Sequence, residues 1–148
     1  MNATRILPDL QSSLLCEDVR QEVSGNLIII GVINVLRVPQ LPITAGRLCI
    51  FNRWTAGIGR FNETVRLIAP DQNTVLRKGE MKFELSDASA QATSVMLFGN
   101  IEFKDAGAYY IEVLVDDVMK IRYPVPVVLA PPPNQNPQQQ PPLPEKKG

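Results

Sequence analysis

The chain has 148 residues, with 15 basic side chains, 15 acidic ones and no histidine. Zero formal charge leaves no bulk field to draw nucleic acid or an anionic membrane. Lack of histidine removes the usual general base, the Ser–His and Cys–His nucleophile pairs and the commonest transition-metal ligand.

Residues 1–8 lack the apolar core of a signal peptide. The longest apolar run, 27–36, is broken by Gly31 and Asn34 and falls short of the roughly 20 residues that cross a bilayer. The expectation is a soluble, cytoplasmic protein.

Turn signals then recur between alternating or apolar runs, and no helical period is sustained. Residues 13–18 predict a first strand carrying Leu14, Leu15 and Cys16. Residues 26–36 predict the strongest strand. Its run Leu27-Ile28-Ile29-Ile30 suits one covered on both sides or central in a sheet. Gly31 inside it marks a bulge or a close backbone approach. Pro39 and Pro42 deny ladder donors and force an extended crossover over 37–42.

Residues 47–54 form the next strand, followed by a glycine-containing loop at 55–59. Over 61–69 the alternation is irregular, which predicts a bulge or register change near Glu63. Pro70-Asp71-Gln72-Asn73 is a tight turn by composition, closing a hairpin onto 74–77. Residues 79–85 alternate cleanly, with Met81, Phe83 and Leu85 on one face and Lys82 and Glu84 on the other. A small polar connection at 86–91, with room for a short helical turn, leads to a strand at 94–103, with Val95, Leu97, Ile101 and Phe103 expected to point inward.

Asp105-Ala106-Gly107-Ala108-Tyr109 is an Asp-x-Gly-x-Tyr turn entering a strand. It resembles the corner of an immunoglobulin-type sandwich, where the tyrosine hydroxyl bonds back to the preceding connection. Asp105, Gly107 and Tyr109 are thus structural candidates. Strands at 109–115 and 118–129 follow, joined at Asp116-Asp117. Pro124 and Pro126 make the last strand an edge at that point.

The chain changes character after 130. Residues 131–148 are rich in proline and glutamine and hold one other apolar side chain, Leu143. Such a tail cannot bury enough surface to offset its ordering entropy, so it is expected to be disordered with polyproline II character. Pro141, Pro144 and Lys146 within it have the shape that a proline-groove domain accepts, against the plainer reading of a solubilising tail.

Charge is uneven along the domain. Arg47, Arg53, Arg60, Arg66, Arg77, Lys78 and Lys82 outnumber the acids of their stretch, and Glu84, Asp87, Glu102, Asp105, Glu112, Asp116 and Asp117 then dominate. Pairing between neighbouring strands accounts for this, and an arginine-lined face for an acidic or phosphorylated partner is the alternative. Cys16 and Cys49 lie in apolar strand patterns and read as buried thiols of a reducing compartment.

Chemistry-bearing clusters are sparse. Two scattered cysteines build no zinc site, and Gly57-Ile58-Gly59 lacks the strand-to-helix setting of a phosphate loop. Asp116-Asp117 with Asp71 or Asp105 would offer oxygens to calcium, whereas acids at a hairpin turn are ordinarily solvated. Glu17-Asp18 closes the first strand, within reach of Arg20 or Arg37. Trp54 either fills the core or, with Arg53 and Arg60, forms an aromatic–cationic contact patch of the kind enriched at interface hot spots. No aromatic ladder accompanies Trp54, which argues against a nucleic-acid platform.

With these pieces placed, the chain resembles a broad bacterial family catalogued only as a domain of unknown function, across 10–130. The marks are Glu17-Asp18, Gly25-Asn26-Leu27-Ile28-Ile29-Ile30-Gly31-Val32, Pro39 with Pro42, Val65-Arg66-Leu67-Ile68-Ala69-Pro70-Asp71, and Gly107-Ala108-Tyr109 running into Val113-Leu114-Val115-Asp116. The resemblance implies a β-sandwich in a bacterial cytoplasm and no particular activity. Immunoglobulin domains place a cysteine two residues after the corner tyrosine. Ile111 stands there instead, so the likeness is architectural.

The expectation is therefore an all-β, immunoglobulin-like two-sheet antiparallel sandwich over 8–130, followed by a disordered tail over 131–148. Its expected function is a non-catalytic intracellular module that binds an unidentified protein partner, without cofactor, metal, nucleic acid or membrane. Contact would run through the 55–60 loop or by strand addition at an exposed edge. A structural component of a phage or envelope, and a weak small-molecule or calcium binder, are the alternatives.

Overall fold

The computed structural model describes residues 5–130, and the tail candidates Pro141, Pro144 and Lys146 lie outside them. Nine strands occur in this span: β1 Asp9–Gln21, β2 Leu27–Val32, β3 Leu36–Val38, β4 Ile43–Thr55, β5 Gly59–Ile68, β6 Val75–Leu85, β7 Gln91–Phe103, β8 Gly107–Val115 and β9 Val118–Leu129. No helix occurs among the described residues. Residues 86–90 form a turn instead, in which Asp87 Oδ1 accepts from the Ser89 amide at 2.8 Å.

The strands make two sheets, ordered β2-β1-β4-β7 and β3-β9-β8-β5-β6, and the four-stranded sheet is curled. Every pairing is antiparallel but one: β3 runs parallel to β9, with Leu36 opposite Val127 and Val38 opposite Leu129. This corrects the wholly antiparallel expectation. The apolar run expected as one strand over 26–36 is in fact divided between the sheets. Pairing with β1 ends near Val32, the chain crosses over, and β3 joins the far sheet.

Inward residues follow period-two alternation. Leu48, Ile50 and Trp54 on β4, Met96 and Phe98 on β7, Phe61, Val65 and Leu67 on β5, and Ile111, Val113 and Val115 on β8 form one buried cluster between the sheets. On β7 this corrects the expected inward set at Val95 and Leu97, the latter being exposed, whereas Ile101 and Phe103 are buried as expected. The irregularity expected at Glu63 is absent. β5 pairs regularly with both neighbours there, and its register shift falls between Leu67 and Ile68. Glu63 breaks the apolar pattern because it occupies a core position, fully buried.

Tyr109 donates its hydroxyl to the Asp105 carbonyl at 2.7 Å and meets Phe103 edge-to-face at 5.0 Å. Gly107, at φ 146°, brings the backbone so close to Pro70 that a Cβ would lie 3.1 Å from its ring. The turn chemistry legible in the sequence thus fixes β8 against both neighbouring connections.

The two long sides of the molecule differ. On one, β6 and β7 approach each other, and Arg77 donates from Nη1 to the Gly99 carbonyl at 2.7 Å and from Nη2 to the Asn100 carbonyl at 3.3 Å. On the other, β2 and the short β3 end their sheets without such a bridge among the described residues. Pro124 and Pro126 stand opposite Tyr110 and Ala108 of β8. β3 reaches only Val127, so β9 is an edge at its prolines and covered beyond them.

Cys16 and Cys49 are cross-strand neighbours on β1 and β4, both free and buried. Burial, then the neighbouring Cys49, pushes the Cys16 thiol up to about 11 from 9.0, and burial also raises Cys49. Across that window the unfolded chain releases protons that the folded chain retains. The stability these thiols contribute is intact below pH 9 and is lost as pH rises toward 11. Burial also raises the buried Tyr109 and the half-buried Tyr123, which add to the loss at the alkaline end. The urea midpoint should therefore fall across this range, and Cys16→Ala should flatten the fall. An equally steep decline in that variant would assign the effect elsewhere.

Candidate functional site

The β1–β2 hairpin begins as a local structure. Its tip is closed by hydrogen bonds from the Glu22 amide to the Asn26 carbonyl at 2.7 Å and from the Gly25 amide to the Glu22 carbonyl at 2.9 Å. Gly25 adopts φ 99°, which glycine tolerates without steric cost. Register then runs from Gln21–Leu27 to Cys16–Val32. Gly31 sits at φ 67°, and the Glu17 carboxylate fills the space that a Cβ would need. Asp18 pairs with Arg20 of its own strand at 3.0 Å and anchors the hairpin to β4 through Arg47 at 2.7 Å. The hydrogen bond from Arg20 holds the Asp18 carboxyl below its ordinary range. Of the partners expected for this acid, Arg20 is present, and Arg47 stands where Arg37 was the other expectation.

The burial expected of β2 is overturned. This strand is the free edge of its sheet, and Leu27, Ile28, Ile30 and Val32 are each between 37% and 49% exposed. Val23 at the hairpin tip is fully exposed. An apolar, β-branched run is compatible with double-sided burial, but here only β1 pairs with it. The sequence did hold a signal for this surface: no charged residue lies between Glu22 and Arg37. Edges are ordinarily blunted with lysine, proline or a bulge, and β2 has neither lysine nor proline.

The other candidates do not form one patch. Trp54 is fully buried. Its indole Nε1 donates to Glu63 Oε1 at 2.8 Å, and its ring stacks on Phe83 at 5.4 Å. Arg53, which precedes Trp54 on β4, projects from the outer face of the curled sheet. Arg60 precedes the inward Phe61 on β5 and so projects from the outer face of the opposite sheet, where it pairs loosely with Glu84 at 3.4 Å. The 55–59 loop is covered by the start of the described chain. Ile6 bridges Ile58, and a Cβ on Gly57 would lie 2.7 Å from Pro8 Cα.

Calcium is not supported by the geometry. Asp116 and Asp117 turn the β8–β9 hairpin, whereas Asp71 and Asp105 lie at the opposite end of β5 and β8. Asp116 is already engaged, by the Asn62 amide at 2.9 Å and by Arg5. Asp71 caps its own turn through the Asn73 and Thr74 amides. No group of three metal-ligating side chains occurs among the described residues. The opposite charges of the two halves meet instead across strands, as in Arg66–Glu112 at 2.7 Å.

Glu63 is the other notable carboxyl group. Trp54, Asn52 and Ser94 converge on it from the opposite sheet, at 2.7–2.8 Å. It is sealed in the core, so its role is to tie β5 to β4 and β7. Among the described residues no helix is long and apolar enough to cross a membrane.

A model of a family of unknown function, DUF6941, matches residues 11–128, and the chain belongs to that family. No curated protein matches it.

Proposed function

We propose that this member of the DUF6941 family is a non-catalytic interaction module of immunoglobulin-like build that binds a partner protein by strand addition along β2. The observation that carries the reading is an apolar edge strand without a charged residue, on which Leu27, Ile28, Ile30 and Val32 are exposed and Ile29 is half-buried. Main-chain donors and acceptors on such an edge supply affinity, and alternate side chains supply selectivity.

Strand order supports the immunoglobulin-like part. The sequence β1-β4-β7 in one sheet and β9-β8-β5-β6 in the other corresponds to A-B-E and G-F-C-C′ of a variable-type domain, with β2 added outside A. The Tyr109 corner falls at the start of the strand corresponding to F, where that fold places it. The two buried free thiols suit a cytoplasmic setting.

The test compares the wild-type chain with an Ile28→Lys/Ile30→Lys double variant as bait in lysate of the source cells. Partners identified by mass spectrometry should be lost on the variant, with the fold retained by circular dichroism. Amide exchange should slow at 27–32 when the wild-type chain is saturated with that partner. Capture of the same partners by both baits, or no capture by either, would overturn the reading.

A further inference from the structure

The hairpin that carries β2 also roofs a cavity of about 490 Å³ on the outer side of β4. Leu27 and Ile29 of β2 line it, with Asn26 at the turn, Phe51 and Arg53 from β4 and Thr93 from β7. Arg53 is the anomaly. Its Nε is buried yet has no hydrogen-bond partner, and the side chain makes no ion pair among the described residues. A buried donor left unsatisfied costs stability, and a guanidinium offers a fork of donors matched to a carboxylate.

We infer that this cavity receives an acidic side chain of the strand that adds to β2. The proposal rests on the strand-addition reading and specifies its partner: an extended, otherwise apolar segment bearing an aspartate or glutamate that pairs with Arg53. Charge complementarity argues for this occupant. Leu27 and Ile29 bring no charge to the cavity, and Arg53 is the charged residue among those that line it. Size argues the same way. β2 has six residues, and four of them, Leu27, Ile28, Ile30 and Val32, expose apolar side chains, a small area beside the roughly 800 Å² per partner of a stable globular interface. One added strand matches that area, and a second copy of the whole domain would leave most of an ordinary interface unformed. Alternate side chains of an added strand point to one face, and Leu27 and Ile29 place that face over the cavity.

The test is selection of a random twelve-residue peptide library, displayed on phage, against the immobilised full chain. The strongest binder is then synthesised and followed by fluorescence anisotropy. Expected sequences alternate β-branched or aromatic residues and keep an aspartate or glutamate at one position. Changing that acid to its amide should weaken binding at least tenfold, as should Arg53→Gln on the protein. The two losses should not multiply, and Arg53→Lys should recover part of the affinity. The thermal midpoint of the Arg53→Gln chain should not fall, because the variant removes an unsatisfied buried donor.

Apolar strands whose binding ignores Arg53 would overturn the inference and leave the edge reading standing. A library that yields no strand-like binder would overturn both. A consensus matching residues 27–32, with a dimer in sedimentation that Ile28→Lys dissolves, would give the edge to a second copy and also overturn the inference.

Discussion

Glu63→Ala should lower the stability of the fold by about 3–5 kcal/mol, the largest effect of any single polar substitution considered. The carboxyl group receives Trp54 Nε1 at 2.8 Å, Asn52 Nδ2 at 2.7 Å and Ser94 Oγ at 2.7 Å. All four side chains are buried. Alanine leaves three donors in the core with neither water nor acceptor, together with a cavity the size of the lost side chain. Glu63→Gln should cost much less. Asn52 Oδ1 is buried and unsatisfied, so Asn52 can rotate its amide and accept from the new glutamine. Chemical denaturation of the two variants checks the order. A Gln variant as damaged as the Ala variant would show that Asn52 is held in its present orientation.

Trp54→Ala should cost a comparable amount, about 3–5 kcal/mol. The indole is fully enclosed, stacks on Phe83 and supplies one of the donors to Glu63. Had Trp54 been an exposed contact residue, its removal would leave stability within about 0.5 kcal/mol. The measurement therefore separates the two roles directly. Because both residues share a hydrogen bond, the losses in a Glu63→Ala/Trp54→Ala chain should fall short of their sum by about 1–3 kcal/mol. Additive losses would show that the bond between them contributes little.

What the sequence revealed and what it hid divide along the range of the interactions. The Asp105–Tyr109 corner was legible because it is built within five residues, from a turn that needs glycine and a hydroxyl that reaches its own connection. Strand β8 was legible from its turn and the apolar run behind it, and β6 only in part: the stretches 74–77 and 79–85 belong to one strand, Leu85 is buried, and Met81, grouped with it by alternation, is exposed. The fate of 27–36 was not, because periodicity reports that a segment is apolar but not how many neighbours cover it. β2 found one neighbouring strand and β3 found β9, over ninety positions away in number. Arg53 and Trp54 are adjacent in sequence and yet project to opposite faces of β4, which alternation states once Trp54 is assigned inward. Glu63 was hidden for a related reason. Within the inward set Phe61, Val65 and Leu67 it occupies a core position, and a charged residue there looks like broken register until its donors from β4 and β7 are seen.

The parallel contact of β3 with β9 bears on how the molecule comes into being. Residues 36–38 await 127–129, so the larger sheet stays incomplete until nearly all of the described chain has left the ribosome. A topology dominated by distant pairings folds slowly, on a scale of roughly milliseconds to seconds. During synthesis the β1–β2 hairpin, made early and greasy at its rim, is exposed longest, which makes it the first segment a chaperone would meet.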